Sequence, residues 1–322
     1  MPITDRQITL RFMAAPTDVA SLGGGVRGGR ILEWVDKAAY ACAAAWSGGY
    51  SVTAYVGNIS FGRDISSGDL VEVRATLIYT GSSSMHIECT VSSADPRVGT
   101  FHSASSCLLV FVAVDEEGKP TPVRQWEPVR ADDVERHTYA LARSDVRAKI
   151  AAEMELADYT APSAALEVGT RFLAAPTDVN WGGKAHGGRV MNWIDDAAYL
   201  CGVRWCSGEV ATAYMGGVRF YRPIHIGQVA EVSARLIHTG RQTMHVAVDV
   251  RAFWPREGSE TARLAAHSLT VLAALDSAGD ATDVRPWIPQ LPGDVALDNH
   301  ARQLIAIRGH RQAASAHRMV AI

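Results

Sequence analysis

The chain consists of two similar halves. Residues 25–40 read GVRGGRILEWVDKAAY and residues 184–199 read KAHGGRVMNWIDDAAY, so that Gly-Gly-Arg, an apolar run with one Trp, an Asp and Ala-Ala-Tyr recur in the same order. RFMAAPTDV at 11–19 likewise returns as RFLAAPTDV at 171–179. A period of this length that occurs only twice is too long for a solenoid repeat and is typical of a duplicated domain.

The repetition extends almost from end to end and sets the expected domain boundaries. TAYVGNISF returns as TAYMGGVRF, LIYTGSSSMHI as LIHTGRQTMHV, and VRQWEP as VRPWIP. We therefore predict a first domain at 1–160 that ends in a linking helix, and a second at 161–322 with a C-terminal helix. The charged segment 131–160 has a helix-forming composition, which predicts a solvated linking helix rather than a core element.

Composition excludes several classes of partner. With 31 basic and 34 acidic side chains among 322 residues, the chain has no charge excess of the kind that binds nucleic acid or an anionic membrane. Its N-terminus has no apolar signal region, and the longest apolar run, at 107–114, is only as long as a strand. Five cysteines without a CxxC pair predict buried thiols in a reducing cytoplasm.

Each half shows the same order of predicted elements. An Ala-rich apolar segment at 29–46, free of internal Gly and Pro, predicts one long buried helix. Four segments of strand type follow, at 51–61, 70–80, 85–94 and 103–115, separated by short turns. Connections this short require antiparallel pairing. The predicted fold is α+β, with two tandem hotdog units in which a curved antiparallel sheet wraps a long helix and two units pair.

A glycine pair precedes the helix in both halves, at Gly28–Gly29 and Gly187–Gly188. Backbone N–H groups at a helix N-terminus that carries no side chains can approach a carbonyl oxygen and stabilise negative charge on it. The glycines could equally serve only to permit a tight entry into the helix.

A carboxylate follows two turns into each helix. Asp36 and Asp195 are surrounded by Trp, Val or Ile, and Ala-Ala, where an acid is costly to bury without a partner or a purpose. The neighbouring Asp196 corresponds to Lys37, so that this position tolerates a reversal of charge and is expected to be solvated.

Together these motifs resemble the acyl-CoA thioesterases of the hotdog superfamily, in their tandem double-hotdog form. The order is a loop with Asn, HGG, a W-[IV]-D-x-A-A helix, FxRP, GxxxEV and TGR-x-[TS]-M, closed by V-x-x-W-x-P. The resemblance implies an active site at the junction of two units, in which the helix carboxylate of one unit activates water beside the Asn loop of the other. It implies an acyl-CoA substrate, no further cofactor, and chains that associate as trimers.

Carried over to this sequence, the resemblance implies one complete junction. Asn180, His186, Gly187 and Gly188 of the second half are expected to face Asp36 of the first half.

The reciprocal junction departs from the pattern. Asp195 would face a loop in which Ala20 or Ser21 stands in place of Asn and Arg27 in place of His, ahead of Gly28–Gly29. This second site is therefore expected to be degenerate, because duplication provides the paired units while one junction is enough for the chemistry.

The sequence leaves two possible roles open for each of the candidate site residues. Asp36 is expected to act as general base or nucleophile, or else to be a carboxylate hydrogen-bonded in the core. Asn180 is expected to orient water or the carbonyl, or else to cap a turn, and His186 to be a structural loop residue or a base. Arg241, which has Ser82 as its counterpart, is expected to contact coenzyme A phosphates or to lie exposed at a turn. No set of His and Cys at ligand spacing predicts a metal site.

The predicted function is hydrolysis of acyl-CoA to a fatty acid and coenzyme A. A hydratase or dehydratase of acyl thioesters, which would use a His paired with an acid, is one alternative, and a non-catalytic acyl-CoA sensor is another. The sequence does not fix the acyl chain length.

Overall fold

Each half of the chain forms one long central helix with antiparallel strands around it. The computed structural model of the chain describes residues 6–19, 25–57, 59–61 and 64–316. The helices are α1 (Gly28–Ser47), α2 (Ala131–Leu156), α3 (Gly187–Cys206) and α4 (Pro292–Ala316). The strands of the first half are β1 (Gln7–Met13), β2 (Ser51–Val56), β3 (Ile59–Phe61), β4 (Leu70–Thr80), β5 (Ser84–Ala94) and β6 (His102–Ala113). Those of the second half are β7 (Glu167–Leu173), β8 (Val210–Phe220), β9 (Val229–Thr239), β10 (Thr243–Phe253) and β11 (Arg263–Ala274). The predicted α+β arrangement is confirmed.

The two halves share one sheet. Its strand order is β1-β4-β5-β6-β2-β8-β11-β10-β9-β7, with β3 paired to both β6 and β8. Every pairing is antiparallel, as the short connections require. The halves join where β2 meets β8, with Tyr55 opposite Arg219 and Val56 opposite Val218. Each half thereby covers an edge strand of the other.

The sequence prediction missed one strand in each half. β1 and β7 are the outermost strands of the shared sheet, and their residues alternate between exposed and half-buried along the whole length. The alternation in QITLRFM is the signal of a strand with one face against the core. Because an edge strand is half solvated, it lacks the apolar run that marks the central strands.

Helix α2 is the predicted linking helix and most of its described residues are exposed, but one face of it is buried. Its Ala140 is fully buried against Ile78 and Leu108 of the first half. Its Ile150 and Met154 are 3% and 5% exposed and pack in a cluster with residues of β9, β10, β11 and α4. The helix therefore lies across both halves, with one apolar face against the outer side of the sheet, and its charges occupy the remaining surface.

The cysteines remain reduced in the structure. Four are buried, while Cys206 is partly exposed. Burial raises the pKa of both Cys42 and Cys201 to about 12, so that these thiols are protonated and unreactive at neutral pH.

Within the described ranges, no helix is long and apolar enough to span a bilayer.

Candidate functional site

The central helices α1 and α3 contact each other reciprocally at their N-termini. Asp36 of α1 accepts a hydrogen bond from the Gly188 N–H of α3, at 2.8 Å. Asp195 of α3 accepts one from the Gly29 N–H of α1, at 3.0 Å. Each carboxylate is only 1% exposed and lies where the partial positive charge of the opposite helix stabilises it. The junction between the halves thus contains two carboxylate sites related by the sequence repeat.

At the first site, two hydrogen-bond donors hold Asp36 beside His186. Oδ1 accepts a hydrogen bond from the Thr53 hydroxyl at 2.8 Å, and Oδ2 accepts the Gly188 N–H. The Nδ1 of His186 lies 2.8 Å from the same Oδ2. The same Nδ1 also accepts the Gly188 N–H at 3.2 Å, so that the His186 ring lies against both the carboxylate and the start of α3.

The sequence predicted free backbone N–H groups at both glycines of each pair. In the structure, one N–H of each pair is occupied by a carboxylate. The Gly188 N–H is occupied by Asp36, and the Gly29 N–H by Asp195. The Gly187 N–H has no hydrogen-bond partner among the described residues, and Gly187 lines the cavity beside Asp36. One glycine of the pair thus anchors the carboxylate, while the other presents an open donor at the start of α3.

A cavity of about 480 Å³ opens at the first site. Its walls include Asp36, Asn180, His186 and Gly187, together with residues of both halves. This volume lies within the range usual for pockets that take a small-molecule ligand. The structure therefore brings these four predicted residues to one accessible space.

Asn180 both caps a turn and borders this cavity. Its Oδ1 accepts hydrogen bonds from the backbone N–H groups of Gly182, at 2.8 Å, and Lys184, at 3.1 Å. The next residue, Trp181, stacks on Tyr40 of α1 with ring centroids 4.5 Å apart and planes inclined by 1°. The turn is thus built by Asn180 and held by Trp181 against the first half.

The second site keeps the carboxylate and replaces its neighbour. Asp195 accepts a hydrogen bond from the Thr212 hydroxyl at 2.6 Å, as Asp36 does from Thr53. Arg27 takes the place of His186, with Nε 3.8 Å from Asp195 and a terminal nitrogen 2.7 Å from Asp196. The guanidinium also lies over the Tyr199 ring, 4.8 Å from its centroid.

Arg27 therefore fills the space beside the carboxylate with a fixed cation. Asp196, which the reversal of charge predicted to be solvated, is its ion-pair partner and has a side chain that is 42% exposed. Burial raises the pKa of Asp196, and the charge of Arg27 acts in the opposite direction. Ser21 and Ala20 lie outside the described residues.

Arg241 lies apart from the first site. Its side chain is 82% exposed and pairs with Asp283 at 3.1 Å, and it is not among the residues that line the cavity.

Sequence reasoning missed Thr53 and Thr212, which contact the two carboxylates. Each lies 17 residues after its Asp and opens the repeated triplet T-A-Y. That invariance between the halves was the available signal, but a Thr in a strand is common and carries no chemical motif. Among the described residues, no group of three or more His, Cys, Asp and Glu is arranged to hold a metal ion.

Both halves of the chain match a known protein family. The family described as the thioesterase superfamily matches residues 23–100 and 182–258, once in each half. An uncharacterized acyl-CoA thioester hydrolase of Buchnera aphidicola is 33% identical over 116 residues, which are 35% of this chain and 85% of that protein.

Two further proteins are similar over most of the chain. The cytosolic acyl coenzyme A thioester hydrolase of Mus musculus is 25% identical over 304 residues, 88% of this chain and 78% of that protein. A solved structure from Lactobacillus plantarum, provisionally named an oleoyl thioesterase, covers 86% of this chain and 99% of its own with a TM-score of 0.58. Its identity is 8%, so that the likeness is one of fold alone.

Proposed function

This chain belongs to the thioesterase superfamily, and we propose that it hydrolyses acyl-coenzyme A at the first site, where Asp36 meets the N-terminus of α3. The observation that carries the proposal is the cavity beside Asp36, which also reaches the open Gly187 N–H. A base and an oxyanion donor at one accessible space are what acyl transfer to water requires.

The proposed reaction proceeds through a tetrahedral intermediate. Asp36 removes a proton from a water molecule, and the resulting hydroxide adds to the thioester carbonyl carbon. Negative charge develops on the former carbonyl oxygen, which accepts a hydrogen bond from the Gly187 N–H. The intermediate collapses to the carboxylic acid and the thiolate of coenzyme A, and the proton held on Asp36 neutralises the thiolate. A thiolate is a good leaving group and needs little assistance from an acid.

The residues around Asp36 support its role as a base. The Thr53 hydroxyl and the Gly188 N–H fix the carboxylate in one orientation. His186 is proposed to hold the carboxylate at the start of α3, which its Nδ1 approaches to 2.8 Å, and Asn180 to position the loop that borders the substrate. At the second site, the Arg27 guanidinium lies beside Asp195, where the reaction would need room for water and a carbonyl group. We therefore propose that the second site does not hydrolyse substrate.

Release of thiol from a panel of acyl-CoAs tests the function. We expect the purified protein to release one equivalent of coenzyme A for each acyl group hydrolysed, measured with a thiol reagent. The His186–Asp36 contact is also what a hydratase would use, and a hydratase would change the acyl group without releasing thiol. Binding without turnover would indicate a sensor, and either result would contradict the proposal.

We also propose that chains associate in the cytoplasm, as trimers. The edge strands β1 and β7 are available for contacts, and Met13 and Leu173 at their ends are 64% and 59% exposed. Sedimentation velocity at micromolar concentration is expected to give three times the mass of one chain. A stable species of 34.6 kDa would contradict the proposal.

A further inference from the structure

A second cavity lies at the N-terminus of α2, in the first half of the chain. Its volume is about 260 Å³. The described residues that line it are all polar or charged, and three of them are arginines: Arg6, Gln7, Thr76, Arg130, Asp132 and Arg136. They share no member with the lining of the cavity beside Asp36. The proposed hydrolysis therefore gives this cavity no role.

Two of the arginines are held in place by carboxylates and by a ring. Arg6, which directly precedes β1, pairs with Asp133 of α2 and lies over the Trp126 ring, 5.1 Å from its centroid. Arg136 of α2 pairs with Glu88 of β5 at 2.9 Å. A guanidinium group has five N–H donors, so that pairing with one carboxylate leaves donors for a ligand. The two pairs thus fix both side chains without using all of their hydrogen bonds.

Arg130 is the most loosely held of the three cations. Its contacts with Asp132 and Asp133 are 3.5 Å long, which exceeds an ordinary hydrogen bond, and its side chain is 68% exposed. Asp132, the carboxylate in the lining, is itself 57% exposed and can turn toward solvent when an anion binds. Arg130 is also the N-cap residue of α2, and its side chain does not cap the helix. The partial positive charge of the helix N-terminus therefore adds to that of the arginines.

The strands contribute neutral donors to the same cavity. Thr76 of β4 is 5% exposed, and its Oγ1 accepts a hydrogen bond from the Gln7 side-chain amide of β1 at 3.3 Å. The hydroxyl hydrogen of Thr76 remains for a further acceptor, because a hydroxyl both donates and accepts. A ligand with several acceptor oxygens would thus meet donors from β1, β4 and α2.

The second half has leucines at the three arginine positions. Recurring backbone hydrogen bonds establish the equivalence, since the carbonyls of Arg130 and Leu291 each accept an N–H from the residue four positions later, at 3.0 Å. The equivalent pairs are Arg6 and Leu166, Arg130 and Leu291, and Arg136 and Leu297. The repeated fold therefore does not itself require arginine at these positions, and the cations need another explanation.

We propose that this cavity binds a phosphate group, either as the free ion or as part of a small phosphorylated metabolite. Phosphate offers several acceptor oxygens, and arginine forms paired hydrogen bonds with them. Bound there, the ligand joins β1, β4 and α2 and stabilises the first half, because it binds the folded chain and not the unfolded one. This site does not depend on acyl-CoA hydrolysis.

Calorimetric titration of the full chain with inorganic phosphate and with glucose 6-phosphate tests the proposal. We expect one ligand to bind per chain at low salt, and more weakly at high salt because screening reduces the attraction. Arg130→Leu and Arg136→Leu introduce the residues of the second half. Each is expected to raise Kd about 10-fold, since each removes charged hydrogen bonds. Tighter binding of glucose 6-phosphate would identify a metabolite as the ligand, and tighter binding of inorganic phosphate would identify the free ion.

Arg241→Leu is the matched control, because Arg241 is 82% exposed and lines neither cavity. This variant should bind both probes with the wild-type Kd. The probes should also raise the unfolding temperature of the wild type and of Arg241→Leu more than that of the two α2 variants, whose unfolding without ligand shows that they are folded. Failure of both probes to bind the wild type, or binding that Arg130→Leu and Arg136→Leu leave unchanged, would overturn the proposal.

Discussion

Asp36→Ala is expected to lower thioesterase turnover by about 10² to 10⁴, the usual scale for a positioned acid–base group. Asp195→Ala should leave most of the activity intact. The two carboxylates have matching hydrogen bonds to a glycine N–H and a threonine hydroxyl. The residue beside the carboxylate differs, because it is His186 at the first site and Arg27 at the second. A difference in activity between the two Ala variants therefore reports the surroundings of each carboxylate.

The same matching makes Asp195 a control for stability. Asp195→Ala leaves the buried Gly29 N–H without its acceptor, at a cost of about 1–3 kcal/mol. In Asp36→Ala the Gly188 N–H keeps His186 Nδ1 as an acceptor at 3.2 Å, so that the cost is expected to be no greater than for Asp195→Ala. Asp36→Asn and Asp195→Asn remove the charge but keep one acceptor oxygen for the glycine N–H, and the threonine hydroxyl can rotate to accept from the new amide. These variants separate loss of the base from loss of structure. Turnover of several acyl-CoAs and the free energy of unfolding would be measured for all four variants. Equal losses of activity, or a greater loss from Asp195→Ala, would contradict the assignment.

Gly188→Ala is expected to destabilise the paired halves by about 2 kcal/mol, which is the typical cost of overpacking. A Cβ on Gly188 would lie 2.7 Å from the Glu33 Cα, which is a backbone atom that cannot rotate away. Gly29→Ala should have a similar effect, because its Cβ would lie 2.7 Å from the Asn192 Cα. The central helices touch at these glycines, so that an added methyl group must push the helices apart.

Urea unfolding of the single and double variants measures this effect. The double variant should lose less than the sum of the single losses, since both methyl groups relax through the same separation of α1 and α3. Gly49→Ala is the control, because its Cβ would meet no atom within 4 Å. Helix propensity alone favours Ala over Gly by up to about 1 kcal/mol. Variants of Gly29 and Gly188 as stable as the wild type would therefore show that the helices do not need this close approach.

Much of the fold could be predicted from the sequence because it is local or repeated. The Ala-rich segment forms α1, since it lacks helix breakers up to Gly48, whose φ of 70° ends the helix. The short turns force antiparallel strands. The composition of α2 predicted its exposure but not its buried face, because three apolar residues, Ala140, Ile150 and Met154, are enough to hold a largely polar helix against the sheet.

The sequence by itself determined that the chain is a duplicated pair and that the two copies differ beside their glycines. It also marked Asp36 and Asp195 as acids in apolar helices. The resemblance implied that each acid faces the glycine loop of the other half. Only the tertiary structure decided the hydrogen bonds themselves, from the Gly188 N–H and Thr53 to Asp36 and from the Gly29 N–H and Thr212 to Asp195. The cavity beside Asp36 is likewise a product of packing. Contacts between residues more than 150 positions apart depend on how the two central helices cross and how the strands of the two halves pair, and no local pattern of side chains encodes that geometry.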